Sequence, residues 1–463
     1  MSASGCRLIL LGFAACGATS DKPDLPMLAT ATDLDPGEAM EVEVVAEPLT
    51  VTWSDGSATE MWAYRDGAAA VATLPGPLIV AERGQRLTVH LLNRLDTANT
   101  TLHLHGARLP APMDGSMATQ TVVAPGEEFH HVLDVVDEGL AWYHPHVAAE
   151  EQVERGLYGP LLMRGGAEAD VTADRVLMLD DLRLDGDGAV DAFTSEDRAH
   201  GRAGDLLLIN GMLAGEGALR VVGRERWRLV NAANARTFRL GFADRRSMRV
   251  VAGDGGGIAE PFDATEVCIA PGERLEFLVE AEASTTFVDF GFDRGYGLDP
   301  GGETALFDLE VQGRPARVEP IPEAWEARPG LEIPDGAPTR RMVLESGTSA
   351  DGDPLHTING ESWPFHTPLD TTVGTVEIWT VENRTEGDQP FHIHGTYFEV
   401  LDVDGVPPAR RAWKDVAVVP AGATARLGVR KHAARHVPRC ALFRLIIRGR
   451  GDHHGSTPAA RGT

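Results

Sequence analysis

Apolar and polar residues alternate along short stretches of this chain, and turn-forming residues separate those stretches. The intervals between its 51 Gly and 29 Pro are short and rich in Val, Leu and Thr. Alternation with a period of two is typical of β-strands that bury one face. The pattern therefore predicts an all-β protein built from sandwiches or barrels.

The same arrangement of strands occurs three times along the chain. Each copy has a turn Gly, a Gly before a strand, an alternating strand, an Asn and a second strand. The three Asn are Asn93, Asn231 and Asn383. Each copy then has a strand–turn–strand segment, "VVAPGEEFHHVLDV", "CIAPGERLEFLVEA" or "VVPAGATARLGVR". Such internal similarity predicts three related all-β units. Their predicted bounds are 38–167, 170–316 and 335–463, with a Pro-rich linker between the second and third.

Length and charge agree with three soluble units. At about 150 residues per domain, 463 residues correspond to roughly three domains. The hydrophobic fraction of 43% is ordinary for globular proteins. A net charge of -27 repels nucleic acid, so we expect no nucleic-acid partner.

Residues 1–37 are predicted to be a secretion leader followed by a short linker. Arg7 precedes an apolar run, Leu8 to Ala15, that is too short to span a bilayer. "FAAC" before Gly17 is similar to a bacterial lipobox, which would make Cys16 a lipid anchor. Ordinary signal cleavage after a small residue is the alternative. Either route predicts export across the cytoplasmic membrane, to the periplasm or cell envelope.

Three His-x-His pairs stand out among the 16 His of the chain. They are His103/His105, His144/His146 and His392/His394. Residues two apart on a strand point to the same face, so each pair presents two imidazoles together. The first and third pairs occupy equivalent places in the repeat, where the second unit has "FRLG" instead. Imidazole suits copper, zinc, iron and nickel, so we predict metal ligands in the outer units and a metal-free second unit.

The remaining histidines are interpreted as structural or solvated. His130 and His131 are adjacent, so a strand would point them to opposite faces, and we expect surface positions. Four others are isolated in the sequence: His90, His200, His356 and His366.

Longer motifs surround the pairs: "TLHLHG", "MDG", "WYHPH…RGLYGPLLM" and "PFHIHGTYFEV". With "LLINGM…RWRLVNAANARTFRLGF" in the second unit, they resemble the multicopper oxidases, in particular three-domain bacterial laccases and copper-tolerance oxidases. The resemblance runs from about residue 40 to about residue 430. It implies three cupredoxin-like β-sandwich domains, a trinuclear copper cluster between the first and third, and a type 1 copper in the third that takes electrons from substrate.

The resemblance also implies a ligand set. His103 and His392 would bind the type 2 copper. The type 3 pair would be bound by His105, His144, His146 and His394. These are six of the family's eight cluster histidines. Asp114 and Gly115 of "MDG" are expected to form a turn near the cluster.

The third unit departs from the family pattern at its type 1 copper site. Gln389 stands where the family has a His ligand, and a Gln oxygen is a harder, weaker ligand. A surface amide on a loop is the alternative interpretation. Counting from the Pro-Ala-Gly turn places Cys440 at the type 1 thiolate position, as a weak candidate. The expected neighbouring ligands are replaced by Arg439, Ala441, Leu445 and Arg450.

Residues 431–463 hold seven Lys/Arg and one acidic residue, in contrast to the acidic remainder. Such a change is expected from an out-of-frame segment, or from a true basic tail on a degenerate paralogue. Two functions therefore compete. One is copper-dependent oxidation of phenolic or metal-ion substrates coupled to reduction of dioxygen to water, impaired in this chain. The other is a non-catalytic, secreted copper-binding or structural protein that keeps the fold.

Overall fold

The computed structural model describes residues 21–34, 39–165, 169–280, 282–296, 302–313, 327–362, 369 and 372–431. Most of the leader, the centre of the Pro-rich linker, His366 and Cys440 with its neighbours lie outside these residues. The described residues form three successive groups of β-strands, here called the first, second and third units. The prediction of an all-β protein is confirmed.

The first unit is two four-stranded sheets packed face to face. One has the order β2-β1-β4-β6 and the other β3-β8-β7-β5. Its strands are β1 (Ala39–Thr52), β2 (Ala58–Asp66), β3 (Ile79–Glu82), β4 (Arg86–Asn93), β5 (His103–His105), β6 (Glu128–Asp134), β7 (Gly139–His144) and β8 (Gly159–Arg164). A 3₁₀ turn covers Ala111–Met113, and helix α1 covers Ala149–Glu154. Alternate residues of the strands, such as Val42, Val44, Leu87 and Val89, fill the space between the sheets.

Among the described residues, the second unit contains the most strands. Its sheets have the orders β11-β10-β9-β13-β18-β15-β16 and β12-β20-β19-β14-β17. Helix α2 covers Ser195–His200. Its strands are β9 (Ala173–Leu182), β10 (Leu206–Ile209), β11 (Met212–Leu213), β12 (Ala218–Val221), β13 (Arg224–Asn231), β14 (Phe238–Phe242), β15 (Met248–Gly253), β16 (Gly256–Ala264), β17 (Glu266–Ile269), β18 (Arg274–Glu280), β19 (Thr285–Asp289) and β20 (Thr304–Val311). Trp227 lies at the centre of an aromatic core with Phe277 and Phe287.

The third unit contains a six-stranded sheet, β22-β21-β23-β28-β25-β26, and the pair β24-β27. Its strands are β21 (Thr339–Thr348), β22 (Pro354–Ile358), β23 (Val376–Asn383), β24 (Gln389–His392), β25 (Phe398–Val403), β26 (Trp413–Lys414), β27 (Val416–Val419) and β28 (Thr424–Arg430). Trp379, Phe391 and Leu427 belong to the core between them.

The repeated Asn has the same structural task in all three units. Each is buried at the end of a strand and holds the loop that leads to the next one. Its side-chain amide donates two hydrogen bonds to main-chain carbonyls, and its oxygen accepts one from the residue two positions later. The amide acceptors are Ala98 and Val123 for Asn93, Arg236 and Ile269 for Asn231, and Gly387 and Val419 for Asn383. In the outer units the following strand contains at least the first histidine of a His-x-His pair, so these hydrogen bonds help to position the pair.

Candidate metal centre

The two His pairs of the first unit lie on neighbouring antiparallel strands. β5 consists of His103 to His105, and β7 ends at His144. His103 lies directly opposite His144 in the register. Pro145 cannot donate a hydrogen bond to the sheet, which agrees with the end of β7 at that point. The pairing brings the two sequence motifs to one edge of the sandwich.

The third pair comes from the third unit and interleaves with the first. The ring of His394 stacks on that of His103, with centroids 4.0 Å apart. The ring of His392 stacks on that of His105, with centroids 3.8 Å apart. His146 lies 4.8 Å from His103, centroid to centroid. The structure thus gathers all six predicted histidines between the first and third units, and each is at most 6% exposed.

Three overlapping sets of potential ligand atoms result, each with its members within 4.8 Å of one another. They are His103/His105/His144, His103/His146/His394 and His105/His392/Asp415. Among the described residues, sets of this kind draw only on the first and third units.

Hydrogen bonds fix which ring nitrogen faces the centre. Nδ1 of His103 donates to the carbonyl oxygen of Asp114 over 2.6 Å, and Nδ1 of His392 to that of Asp415 over 2.8 Å. Nδ1 of His144 donates to the carbonyl of Pro145 over 3.0 Å. A carbonyl can only accept, so Nδ1 carries the proton in each ring and Nε2 keeps its lone pair. Such outer partners are typical of metal-ligating histidines.

Burial sets the charge of these rings. It is the main cause that holds the pKa of His103 and His105 well below the usual histidine value, and neighbouring imidazoles lower it further. Burial also lowers the pKa of His392. All three imidazoles are therefore neutral at neutral pH, which is the form that binds a metal ion.

Asp114 and Gly115 form the expected turn beside the histidines. The Asp114 carboxylate accepts a 2.8 Å hydrogen bond from Nδ1 of His394, so it connects the third unit to the first. Gly115 has φ +80, and a Cβ there would lie 2.1 Å from the carbonyl oxygen of Leu102. The close approach of this turn to β5 requires glycine.

Comparisons with known proteins agree on one family. Profiles described as multicopper oxidase match residues 45–168, 173–289 and 332–442. The chain is 30% identical to "Cell division protein FtsP" of Escherichia coli over 74% of this chain and 75% of that protein. It is 27% identical to "Multicopper oxidase mco" of Staphylococcus aureus over 77% of this chain and 76% of that protein.

The chain belongs to the multicopper oxidase family. Solved structures agree. A laccase-like multi-copper oxidase, CueO, from Ochrobactrum sp. has a TM-score of 0.74 and 26% identity over 88% of this chain and 94% of that one. A multicopper oxidase from Campylobacter jejuni has a TM-score of 0.78 over 89% and 90%, and its 24% identity supports the fold alone.

The residues present fit the copper that the multicopper oxidase family implies. Nε2 of His103, Nε2 of His392 and both ring nitrogens of His105 are buried without a hydrogen-bond partner among the described residues. A buried polar atom left in this way costs about 1–3 kcal/mol. An ion that accepts these lone pairs would remove that cost, and imidazole is a good copper ligand.

Gln389, which the sequence resemblance aligns with a type 1 copper ligand, is neither a loop residue nor a freely solvated amide. It begins strand β24 and is half-buried. Its Nε2 donates to Tyr296 Oη over 2.5 Å and to Thr385 Oγ1 over 3.1 Å. The interpretation as a surface amide on a loop is therefore wrong. The side chain instead joins the third unit to the second, beside a cavity that also borders His200 and His356.

One further histidine expectation needs correction. His131 is fully buried rather than on the surface, and its Nδ1 donates to the carbonyl of Met113 over 2.9 Å. His90 is partly buried, and its ring contacts that of His130 with centroids 4.3 Å apart, which agrees with its interpretation as structural or solvated. His130 is exposed, as expected. The strand register explains the contact, since His90 lies directly opposite His130.

Sequence patterns missed two residues at the centre, Asp415 and Arg274. Asp415 is buried, and its carbonyl holds His392. Arg274 comes from the second unit and is buried against Asp415. Neither belongs to a His-x-His pattern. The sequence offered two local signals. One was "WKD" next to β27, and the other was "PGER" in the strand–turn–strand segment of the second unit. Neither predicts contact with the other.

No helix among the described residues is long and apolar enough to cross a membrane.

Proposed function

We propose that this chain binds copper at the six-histidine centre between the first and third units, and that its oxidase turnover is impaired where electrons enter. The interleaving of His392 and His394 with His103 and His105 supports the copper site most directly. Copper bound there would supply the redox chemistry that couples reduction of dioxygen to water to oxidation of a phenolic or metal-ion substrate.

The protein's own part is to hold six neutral imidazoles in a dry interface. Main-chain carbonyls fix the tautomer of His103, His144 and His392, and Asp114 orients His394. The impairment is proposed from Gln389, whose amide is engaged by Tyr296 and Thr385. Cys440 and its neighbours lie outside the described residues, so their contribution stays a prediction from the sequence.

A copper titration of the purified chain tests this proposal. We expect the wild-type chain to bind copper. We expect His103→Ala and His392→Ala each to bind it more weakly. We also expect no intense blue thiolate-to-copper absorption and little oxygen consumption with a phenolic donor. Failure of the wild-type chain to bind copper would refute the site. A blue band with steady turnover that His394→Ala abolishes would refute the impairment.

A phenolic donor is chosen because the laccase-like CueO from Ochrobactrum sp. has oxidase activity towards lignin model compounds and lignosulfonate. Metal ions form the second substrate class to test. Oxidation of a donor directly at the six-histidine centre, by a chain that shows no blue band, would also contradict electron entry through a type 1 site.

A role in cell division is the second candidate function. It is favoured by the 30% identity to "Cell division protein FtsP" of Escherichia coli. Such a role suits a non-catalytic, exported protein and agrees with the predicted leader, in which Cys16 would be the lipid anchor. Expression in Escherichia coli lacking FtsP, with cell length as the readout, tests it. Equal effects of wild type and His103→Ala/His392→Ala would support a function independent of copper, and no effect of either would reject it.

A further inference from the structure

His131 is a fully buried histidine that does not belong to the six-histidine centre. It lies on β6, and its ring contacts that of Phe129 with centroids 4.7 Å apart. Its Nδ1 donates to the carbonyl oxygen of Met113 over 2.9 Å, which fixes the proton on Nδ1 because a carbonyl only accepts. Burial lowers the pKa of His131 to about 4, so the ring is neutral at neutral pH.

The second ring nitrogen makes this imidazole costly to bury. Nε2 of His131 is buried without a hydrogen-bond partner in the part of the chain that the structure describes. An apolar side chain of similar size would fill the same space without an unpaired polar atom. The one contact that requires a donor at this position is the bond from Nδ1 to Met113. The role of His131 therefore lies in what this bond holds in place.

Strand β6 holds Met113 at two points. His131 donates to its carbonyl, and the main-chain nitrogen of Val132 donates to its Sδ over 3.4 Å. Met113 ends the 3₁₀ turn, and its carbonyl shares a planar peptide group with the nitrogen of Asp114. That nitrogen donates to the carbonyl of Ala111 over 3.1 Å. The bond from His131 thus fixes the peptide plane from which Asp114 extends.

Asp114 orients one histidine from each outer unit. Its carbonyl oxygen accepts from Nδ1 of His103 over 2.6 Å, and its carboxylate accepts from Nδ1 of His394 over 2.8 Å. The two rings stack with centroids 4.0 Å apart, and with His146 they form one of the three ligand sets. A rotation of the peptide before Asp114 would move both acceptors. It would also turn both rings, because the outer partner of a metal-ligating histidine sets its orientation.

We propose that His131 is a positioning residue of the metal centre, which orients His103 and His394 through its hydrogen bond to Met113 and the turn at Asp114. The inference rests on the proposed copper binding and adds no ligand to the centre. One side chain of the first unit then sets the geometry of ligands on both sides of the interface.

Two substitutions that place the same donor at different positions test this role. His131→Asn keeps an amide N–H donor close to the position of Nδ1, whereas His131→Gln moves that donor one carbon further out. We expect His131→Asn to keep copper(II) affinity and the copper(II) EPR spectrum close to those of the wild type. We expect His131→Gln to bind copper(II) about 10–100-fold more weakly, with a changed spectrum. Equal affinities and spectra in the two variants, at equal folded fraction, would overturn the proposal.

Leu133→Ala is the control for a loss of stability without a lost hydrogen bond. Leu133 lies two residues further along the same face of β6 and is 2% exposed. Its side chain forms no hydrogen bond, and the cavity left by alanine lowers stability. We expect the folded fraction of this variant to bind copper(II) with wild-type affinity and spectrum. A spectral change equal to that of His131→Gln would show that any disturbance of β6 reaches the centre, which contradicts the specific role of His131.

The double variant Asp114→Ala/His131→Gln tests the route. If His131 acts through the turn, the combined loss of copper affinity is smaller than the product of the two single losses. The reason is that the second change acts on a contact that the first has already removed. A combined loss equal to that product would contradict action through Asp114.

The outcomes separate this inference from the proposal beneath it. A wild-type chain that binds no copper refutes both. A wild-type chain that binds copper, with unchanged binding in His131→Gln, refutes only the positioning role.

Discussion

His392 of the third unit lies face to face with His105 of the first, with ring centroids 3.8 Å and ring planes 11° apart. The whole second unit separates them in the sequence. Neither outer unit can form this centre alone, because each supplies only part of every ligand set that spans the interface. We therefore expect metal binding to be coupled to the packing of the first unit on the third.

The first prediction follows from that coupling. His103→Ala and His392→Ala are each expected to weaken copper binding by more than the roughly 10–100-fold that loss of an outer partner costs. His130→Ala, which removes an exposed histidine of the first unit, should leave binding unchanged. Copper titration followed by metal analysis measures both. Undiminished binding after loss of either ligand would show that the ions bind elsewhere.

Asp114→Ala should weaken copper binding by about 10–100-fold without removing a ligand. The reason is that the Asp114 carboxylate orients His394 through a 2.8 Å hydrogen bond across the interface. Copper affinity of the variant, measured at equal folded fraction, checks this. Wild-type affinity would mean that packing alone holds the His394 ring.

Gly115→Ala should destabilise the protein by about 3 kcal/mol or more, through a steric clash and backbone strain. A Cβ would meet the Leu102 carbonyl at 2.1 Å and displace β5. Gly126 has a similar φ of +84 but open space around it, so Gly126→Ala should cost only the left-handed strain, about 1–2 kcal/mol. Denaturant unfolding of the two variants compares them. Equal losses of stability in the two variants would indicate that the backbone near Leu102 shifts to accommodate the new methyl group.

Asn93→Ala and Asn231→Ala should each lower the free energy of unfolding by about 2–3 kcal/mol, because each leaves buried main-chain groups without partners. Only Asn93→Ala should also weaken copper binding, since its loop leads to the ligand strand β5 whereas the loop of Asn231 leads to Phe238. Unfolding and copper titration on both variants test this. Weaker copper binding in Asn231→Ala would contradict the expectation that only the Asn93 loop positions a ligand strand.

The free energy of unfolding should fall as the pH rises from about 4.5 to about 7, because the Glu154 carboxyl group loses its proton. Burial, and then repulsion from Asp181, raises the pKa of Glu154 from its usual 4.5 to about 7. A carboxyl group whose pKa is raised on folding stabilises the fold fully below its unfolded pKa, and this contribution is lost as pH passes the folded value. Over this range the wild type should lose about 3 kcal/mol more than Glu154→Gln. The same pH dependence of the free energy of unfolding in the two proteins would contradict this prediction.

Local patterns determined the strands and the residues able to bind metal. Alternation with period two specified the faces of strands such as β4, and the spacing of His103 and His105 placed both imidazoles near one edge. The repeated Asn marked equivalent loops in all three units, and each Asn forms the same three hydrogen bonds. These features depend on contacts between residues that are close in sequence or lie within one sandwich. The bounds of the units, the leader and the role of Cys440 stay predictions.

Only the tertiary structure decided which groups meet at the centre. The stacking of His105 on His392, the Tyr296 hydroxyl bound by Gln389 and the clamp of Arg274 on Asp415 all cross between units. His131 is buried because the 3₁₀ turn packs over β6, a contact that strand alternation does not encode. The period of a strand specifies which face a side chain occupies, but not what covers that face. That partner is selected when whole sandwiches dock, because burial of apolar surface and pairing of buried charge act over the complete interface.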